Sequence, residues 1–142
     1  TWERLSKGVA GEFQFAEGVA TPEPPSFYAK RNCYYGASSA SPVEIRERDE
    51  IGTERILWGS DYPHYEGTYP HTRLALRHTF NDVGEDAARK MLGLNAAELY
   101  GFDVEALAPL AEKCGPTWEE LSVPLAPEEF PSQTHTNAFR TV

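Results

Sequence analysis

The residues with the clearest chemical potential follow a short apolar run, Ile56–Trp58. After two small residues the chain presents a carboxylate, Asp61, and three residues later an imidazole, His64. A carboxylate can accept or donate a proton, and carboxylate oxygen and imidazole nitrogen are both ligands of divalent zinc, manganese and iron. The segment therefore indicates acid–base or metal chemistry centred on Asp61.

An apolar run of this length is typical of a strand that is buried on both faces of a parallel sheet. Gly59 and Ser60 allow a tight turn, so Asp61 is predicted just past the carboxyl end of the strand, where such sheets carry their catalytic residues. The competing interpretation is that Asp61 is only a turn or helix-capping residue, which is the commoner role of a single Asp after a strand.

The loop after this strand adds two more candidate ligands, Glu66 and His71, and repeats the triplet Tyr-Pro-His. A catalytic metal site needs about three protein ligands and an open position. Histidines seven residues apart have no recognised ligand spacing, and a proline stiffens the backbone beside each of them. We therefore expect Asp61 to contribute to a site that residues distant in the sequence complete, rather than to a metal site made by the loop alone.

Other candidate residues carry weaker signals. Arg73 and Arg77 lie four apart on the helix predicted after the loop and could clamp a substrate carboxylate, with a solvated helix face as the alternative. His78 and His135 have no companions in the sequence, so we expect no catalytic role for them. Cys33 has no adjacent base and is predicted to be an inert thiol.

The elements that must position these residues form a strand–helix–strand succession. Residues 31–36 and 55–59 have the composition of strands. Between them Ser41 begins a helix as N-cap, with Pro at the first helical position and Glu at the third in a capping box, and Gly52 ends it. Short connections of this kind indicate one βαβ unit and hence an α/β fold with a parallel sheet. The predicted apolar contribution of the helix is Val43, Ile45 and Ile51.

Short helices are predicted after the loop, over residues 70–80 and 85–92. Asn95 is expected to cap a third helix, which Gly101 ends in the left-handed conformation. Pro109 is expected to interrupt one further helix and to begin another. Two more helix caps are predicted, at Asp103 and Thr117.

Composition limits the function classes. A chain of 142 residues predicts one domain. The net charge of −9 argues against a nucleic-acid partner and an anionic membrane, because phosphate binding needs clusters of Lys and Arg. No apolar run approaches the roughly 20 residues of a membrane span, and nothing resembles a signal peptide. Because the two cysteines make no disulfide framework, a cytoplasmic setting is the expectation.

The chain is also expected to be a piece of something longer. Residues 1–7 have the pattern of a helix already under way, and residues 8–28 are predicted as a loop. Two strands alone cannot make a stable parallel sheet, because both edges and both faces stay open. We therefore expect the partner strands to lie elsewhere.

Three segments of the sequence carry a family resemblance: Arg55-Ile-Leu-Trp-Gly-Ser-Asp-Tyr-Pro-His64, Glu66-Gly-Thr-Tyr-Pro70 and Gly93-Leu-Asn-Ala-Ala-Glu-Leu-Tyr-Gly-Phe102. They resemble the carboxyl-terminal part of the amidohydrolase-related family, which includes the aminocarboxymuconate-semialdehyde decarboxylase-like enzymes. The resemblance runs from about Pro25 to Leu121. It implies the C-terminal part of a (β/α)8 TIM barrel, the last two strands plus C-terminal helices, over residues 1–121. Residues 122–142 would follow as an extended, Pro-rich tail.

The resemblance also implies roles for particular residues. In the family the Asp of the Gly-Ser-Asp motif lies beside or on the metal, as ligand or proton carrier, and this role maps onto Asp61. His64 matches a histidine common in the motif and is carried over as a pocket residue. The implied cofactor is a divalent metal ion, zinc first, with manganese as the alternative. The family's other metal ligands have no match in this sequence.

The leading hypothesis is a segment of a metal-dependent hydrolase or decarboxylase whose proton carrier or metal ligand is Asp61. Its small carboxylate or aromatic substrate would be held by Tyr62, His64 and Arg73. A barrel typically needs about 200 residues and eight strands. Activity is therefore expected only when a missing barrel segment or a partner chain completes the site, in a homo-oligomer or hetero-assembly. The alternative is a non-catalytic barrel remnant that acts as an interaction subunit, or a truncated fragment.

Overall fold

The computed structural model describes residues 23–139, and the chain divides into two units, residues 1–34 and 35–142. In the first unit, helix α1 spans Pro25–Asn32. Proline is favoured at the first helical position because its missing N–H would have no intrahelical partner there. Residues 25–28 were predicted as a loop and residues 31–32 as part of a strand, so both predictions are wrong there. The expectations for residues 1–22 lie outside the described residues.

The second unit is built on two parallel strands. β1 spans Tyr35–Ser38 and β2 spans Ile56–Gly59, with Tyr35 opposite Ile56 and Ser38 opposite Gly59. This pairing confirms the predicted parallel sheet, and strands and helices together place the chain in the α/β class. Within residues 23–139 the sheet has these two strands. Ile56 is buried, whereas Leu57 and Trp58 are only half-buried.

The crossover between the strands begins with helix α2, Pro42–Arg46. The predicted capping box is present, because Ser41 Oγ accepts from the Glu44 N–H at 3.5 Å and the Ser41 N–H donates to the Glu44 carboxylate at 2.8 Å. Ile45 is buried, as expected. Val43 is exposed, so its predicted burial is wrong.

Two further turns complete the crossover. The predicted single helix is interrupted at Glu47, after which helix α3 spans Arg48–Ile51. Gly52 ends it with a φ of 104°, a conformation that favours glycine. A 3-10 turn, Thr53–Arg55, then leads into β2.

Helix α4, Thr72–Phe80, follows the loop after β2 and supplies much of the core. The helix was predicted to begin at Pro70 but begins at Thr72, two residues later, and His71 is the residue before its first turn. The buried Thr79 hydroxyl donates to the Ala40 carbonyl at 2.9 Å, which ties the helix to the chain after β1. Its buried face consists of Ala75, Leu76, Thr79 and Phe80.

The next helical run has no break. Helix α5, Glu85–Arg89, continues through a π-helical turn, Lys90–Leu94, into helix α6, Asn95–Tyr100. Gly101 ends the run in the left-handed conformation, with a φ of 69°, as predicted. Asn95 lies inside the run, so the prediction that it caps a separate helix is wrong.

Asn95 has a different partner from the one its residue type suggested. Because the backbone before it stays helical, no N–H group of α6 needs a side-chain cap there. The buried Asn95 amide instead donates to the carbonyl oxygens of Thr53 and Ile56, each at 2.8 Å. The helical run is thereby fixed to the amino end of β2.

Helix α7, Val104–Cys114, starts at the predicted cap, where Asp103 Oδ1 accepts from the Ala106 N–H at 3.0 Å. It continues through Pro109, contrary to the predicted interruption. Every residue of α7 is exposed, and a proline inside a helix removes one backbone hydrogen bond. Among residues 23–139, neither α7 nor any other helix has the length and apolar character needed to cross a membrane.

Helix α8 spans Trp118–Leu121. Thr117 Oγ1 accepts from the Glu120 N–H at 3.2 Å, which is one half of the predicted capping box. The Glu120 carboxylate pairs instead with Arg73. The following C-terminal segment, residues 122–139, contains two 3-10 turns, Pro127–Glu129 and Asn137–Phe139.

Candidate active site

Asp61 lies at the carboxyl end of β2, as the sequence predicts. It follows Gly59 and Ser60 and adopts a φ of 58°, in the left-handed region. Asp is one of the few residues with a side chain that tolerates this region, because its short carboxylate can bond locally. The side chain is 40% exposed, so the carboxylate is open to a substrate or an ion.

The end of β1 lies beside the same loop. Ser39 follows β1 and also has a left-handed φ, of 52°. It is buried, its N–H donates to the Gly59 carbonyl at 3.1 Å, and its hydroxyl donates to the Glu66 carbonyl at 3.4 Å. Ser39 was not among the residues predicted for the site. The signal that could have found it is a small hydroxyl residue directly after a strand whose partner ends in Asp61.

Thr68 closes the Asp61 loop, residues 60–71, at its base. The backbone N–H of Thr68 donates to the Ser60 carbonyl at 2.9 Å, and its hydroxyl lies 3.3 Å from the same oxygen. That hydroxyl is also 3.0 Å from the hydroxyl of Thr72, in the first turn of α4. Thr68 is buried. It was not a predicted site residue, because the sequence does not distinguish a loop threonine with a buried hydroxyl from one with a solvated hydroxyl.

The loop closes tightly around Gly67. The His64 N–H donates to the Asp61 carbonyl at 2.7 Å, and the Gly67 N–H donates to the His64 carbonyl at 3.0 Å. A Cβ atom at Gly67 would lie 2.8 Å from the Asp61 carbonyl oxygen and 2.9 Å from those of His64 and Ser60. All three atoms are backbone, so the position accepts only glycine without a shift of the loop.

Asp61 and His64 form an exposed pair. His64 Nδ1 lies 3.2 Å from Asp61 Oδ2, and the His64 side chain is 61% exposed. A carboxylate beside Nδ1 favours the tautomer that carries its proton there, which leaves Nε2 able to accept a proton. The pair can therefore relay a proton between the loop and a bound molecule.

Tyr62 borders this pair and is 68% exposed. Its ring packs edge-on against the ring of Tyr69, with 5.5 Å between the centroids. Its backbone N–H donates to Ser60 Oγ at 3.3 Å. The peptide bonds that precede Pro63 and Pro70 are both cis. The loop presents two neighbouring phenol rings, of which Tyr62 directly follows Asp61 in the chain.

Arg73 is not brought together with these residues. Its guanidinium pairs with the Glu120 carboxylate at 2.5 Å and donates to the carbonyl oxygens of Cys114 and Gly115 at 3.0 and 3.2 Å. None of these partners belongs to the Asp61 loop. The contacts fix the end of α7 and the start of α8 to α4.

Arg77 clamps a carboxylate of its own chain. It donates to both oxygens of Glu129, at 2.7 and 3.1 Å, and to the carbonyl oxygens of Val123 and Pro124, both at 3.2 Å. The hydrogen bond from Arg77 lowers the pKa of the Glu129 carboxyl, and the same bond raises the pKa of Arg77. The fork of the guanidinium thus holds the C-terminal segment on α4.

A metal ion would find too few ligands among the residues that the structure describes. No group of three His, Cys, Asp or Glu side chains within residues 23–139 could hold an ion. The loop contributes the Asp61–His64 pair, and Glu66 and His71 do not extend it to a ligand set. Because a catalytic site needs about three protein ligands, these residues alone do not fit a metal. Asp61 has the right chemistry for one of them.

The chain matches a known protein family. A family model described as "Amidohydrolase" matches residues 14–102, more than half of the chain. The matched region includes both strands and the Asp61 loop. No curated protein and no solved structure matches the chain.

Proposed function

Because this chain belongs to the amidohydrolase family, we propose that it is part of a metal-dependent hydrolase or carboxy-lyase. In this proposal β1 and β2 are the last two strands of a (β/α)8 barrel, and Asp61 is the acid–base or metal-binding carboxylate. The reaction would be C–C or C–N/C–O bond cleavage in a small carboxylate or aromatic substrate.

The observation that supports the proposal best is the position of Asp61. Catalytic residues of parallel α/β sheets and barrels lie past the carboxyl ends of the strands. Asp61 occupies such a position, and a left-handed backbone and a closed loop hold it there. A residue that only capped a helix would be expected to accept a bond from the first turn of α4, but that helix has no side-chain cap.

The Asp61–His64 pair supports a proton-transfer role. With the carboxylate 3.2 Å from Nδ1, the imidazole is oriented and its Nε2 can exchange a proton with a substrate that lies over the loop. Tyr62 would contribute an aromatic wall, and Arg73, already paired with Glu120, could assist only by leaving that partner. The family binds divalent ions, and the ligands besides Asp61 would come from the missing barrel segment or from a partner chain.

The test is Asp61→Asn in the assembly that contains the chain in its source. Asparagine keeps the shape and tolerates the left-handed backbone, but it cannot carry the proton. We expect turnover to fall by about 10²–10⁴-fold, the usual contribution of a general acid or base. Asp82→Asn is the matched control, because Asp82 is an exposed carboxylate just beyond the other end of α4, and turnover should not change.

Metal content then separates the two roles of Asp61. Loss of the ion together with activity assigns Asp61 as a ligand, whereas loss of activity with the ion retained assigns it as the proton carrier. Unchanged turnover in Asp61→Asn would contradict the proposal. A wild-type assembly that binds its partner chains but turns over none of the family's substrate classes would favour the interaction subunit instead.

A further inference from the structure

The C-terminal segment reaches the Asp61 loop through one ring contact. Tyr65, in the middle of the loop, stacks on His135, with 4.3 Å between the ring centroids and 28° between the ring planes. Tyr65 is 71% exposed and His135 is exposed as well, so the stack lies on the surface. The histidine that had no companion in the sequence therefore has one in the fold.

The backbone around His135 is held although its ring is exposed. The next residue, Thr136, is buried, and so is Ala138. The Ala138 N–H lies 3.5 Å from the Thr136 hydroxyl, and the Thr136 N–H donates to the Thr134 hydroxyl at 3.3 Å. The buried residues that follow His135 therefore hold the backbone that carries its exposed ring.

Adjacent residues of α4 anchor the rest of the C-terminal segment. Arg77 binds its first part through Glu129 and two carbonyl groups. His78 packs against Phe130 edge-on at 5.0 Å and against Phe139 face-on at 5.7 Å. Since α4 begins at the end of the Asp61 loop, one helix positions both the loop and the segment that contacts it.

The base and the tip of the Asp61 loop are held by different kinds of contact. Its base is tied by backbone hydrogen bonds at Ser60 and Thr68, and Ser39 supports Glu66. At the tip, residues 63–66, two contacts between side chains of described residues stand out: the His64–Asp61 pair and the stack of Tyr65 on His135. Tyr65 directly follows His64 in the chain. The stacking contact that holds the Tyr65 ring therefore also restricts the backbone that carries the His64 imidazole.

We propose that the C-terminal segment is a wall of the candidate active site and that His135 is a positioning residue, which holds the Asp61–His64 pair in place through its stack on Tyr65. The catalytic consequence rests on the proposed function. The positioning itself does not, because it is a property of the loop that can be measured without turnover.

The first test is amide hydrogen exchange of the chain in the assembly that contains it in its source. His135→Ala should accelerate exchange at the His64 and Gly67 amides by about two- to twelvefold, the range that an aromatic pair contributes beyond its buried area. His135→Phe keeps a stacking ring and should restore the wild-type rates. Gln133→Ala, an exposed neighbour in the same segment, is the matched control and should change nothing.

A double variant makes the test specific to the contact. If the stack is the cause, Tyr65→Ala should accelerate the loop amides as His135→Ala does, and the two together should add nothing further. Additive effects would overturn the proposal, and so would unchanged loop exchange in His135→Ala. Equal acceleration at the buried α4 amides of Ala75 and Phe80 would also overturn it, because His135 would then act on the whole fold.

The second test uses the assembly with turnover. A positioning role predicts that His135→Ala lowers kcat with little change in KM, and that His135→Phe restores kcat. An assembly without turnover would remove the proposed function but would leave the exchange result standing. Faster loop exchange together with wild-type kcat would show that the loop is held for a purpose other than catalysis and would overturn the catalytic part of the inference.

Discussion

The two ends of β2 carry polar residues of opposite character. At the amino end, the buried amide of Asn95 donates to the Thr53 and Ile56 carbonyl groups at 2.8 Å each. At the carboxyl end, Asp61 is exposed and its partner is the still more exposed His64. A buried polar group with every donor used serves the fold, whereas an exposed, paired carboxylate is free to react. The difference separates stability from chemistry along one strand.

The largest effect on stability is expected at the amino end. Asn95→Ala removes both of these buried hydrogen bonds, and the Thr53 carbonyl keeps its bond from the Ile56 N–H. We therefore expect the free energy of unfolding to fall by about 2–3 kcal/mol. Denaturant unfolding, with an unchanged m-value, measures it. Asn95→Asp has the same shape without the donor and should be at least as unstable. A loss below about 0.5 kcal/mol, the usual range for an exposed position, would remove the distinction between the ends.

A smaller effect is expected from Gly67→Ala at the carboxyl end. Its Cβ would approach three backbone carbonyl oxygens to within 2.9 Å, so the loop must shift, at a cost of about 1–3 kcal/mol. Unfolding measures the cost, and the separation of the Asp61 and His64 side chains should change with it. Gly93→Ala is the control: its Cβ would meet no atom within 4 Å, so stability should stay equal or rise. Equal losses in both variants would contradict the close approach at Gly67.

A third expected effect concerns the left-handed backbone conformation of Asp61. Alanine in the left-handed region costs about 1 kcal/mol more than a residue that tolerates it. We therefore expect Asp61→Ala to be less stable than Asp61→Asn and Asp61→Gly by about this amount. If all three variants unfold at the same denaturant concentration, the turn does not require the conformation, and the carboxylate is not held by its backbone.

The carboxyl end of β2 could be predicted from the sequence and the amino end could not, for a physical reason. An apolar run, two small residues and a carboxylate form one local pattern, and a local pattern fixes a turn after a strand. The role of Asn95 depends on two carbonyl groups about 40 residues earlier, which no local pattern contains. Its residue type suggested a helix cap, but a continuous helical run made the cap unnecessary.

The contacts of the candidate site also divide into local and distant ones. The capping box at Ser41 was predicted because its two partners lie three residues apart. The partners of Arg73 and the stack of Tyr65 on His135 connect distant parts of the chain, so only the fold reveals them. The spacing of Arg73 and Arg77 on a helix indicated that the two could bind one substrate carboxylate. It did not indicate that each already binds a carboxylate of this chain.

The smallest effect is a pH dependence that should leave both ends of β2 unaltered. Burial lowers the pKa of His78 from its ordinary 6.5, and the positive charge of Arg46 lowers it further. The unfolded chain therefore binds more protons as the pH falls, so the stability that His78 contributes is complete above 6.5 and is lost as the pH falls toward the lower, folded pKa. The unfolding free energy, measured between about pH 5 and pH 8, should show this loss in the wild type.

His78→Phe provides the control for that measurement, because it keeps a ring beside Phe130 and Phe139 and does not titrate. The variant should lose the part of the pH slope that lies just below 6.5, whereas the Asn95→Ala penalty should be the same at every pH, since no group in that contact ionises. An unchanged slope in His78→Phe would mean that another group titrates. A pH-dependent Asn95 penalty would mean that the two ends of β2 are coupled, and the separation of stability from chemistry along the strand would then fail.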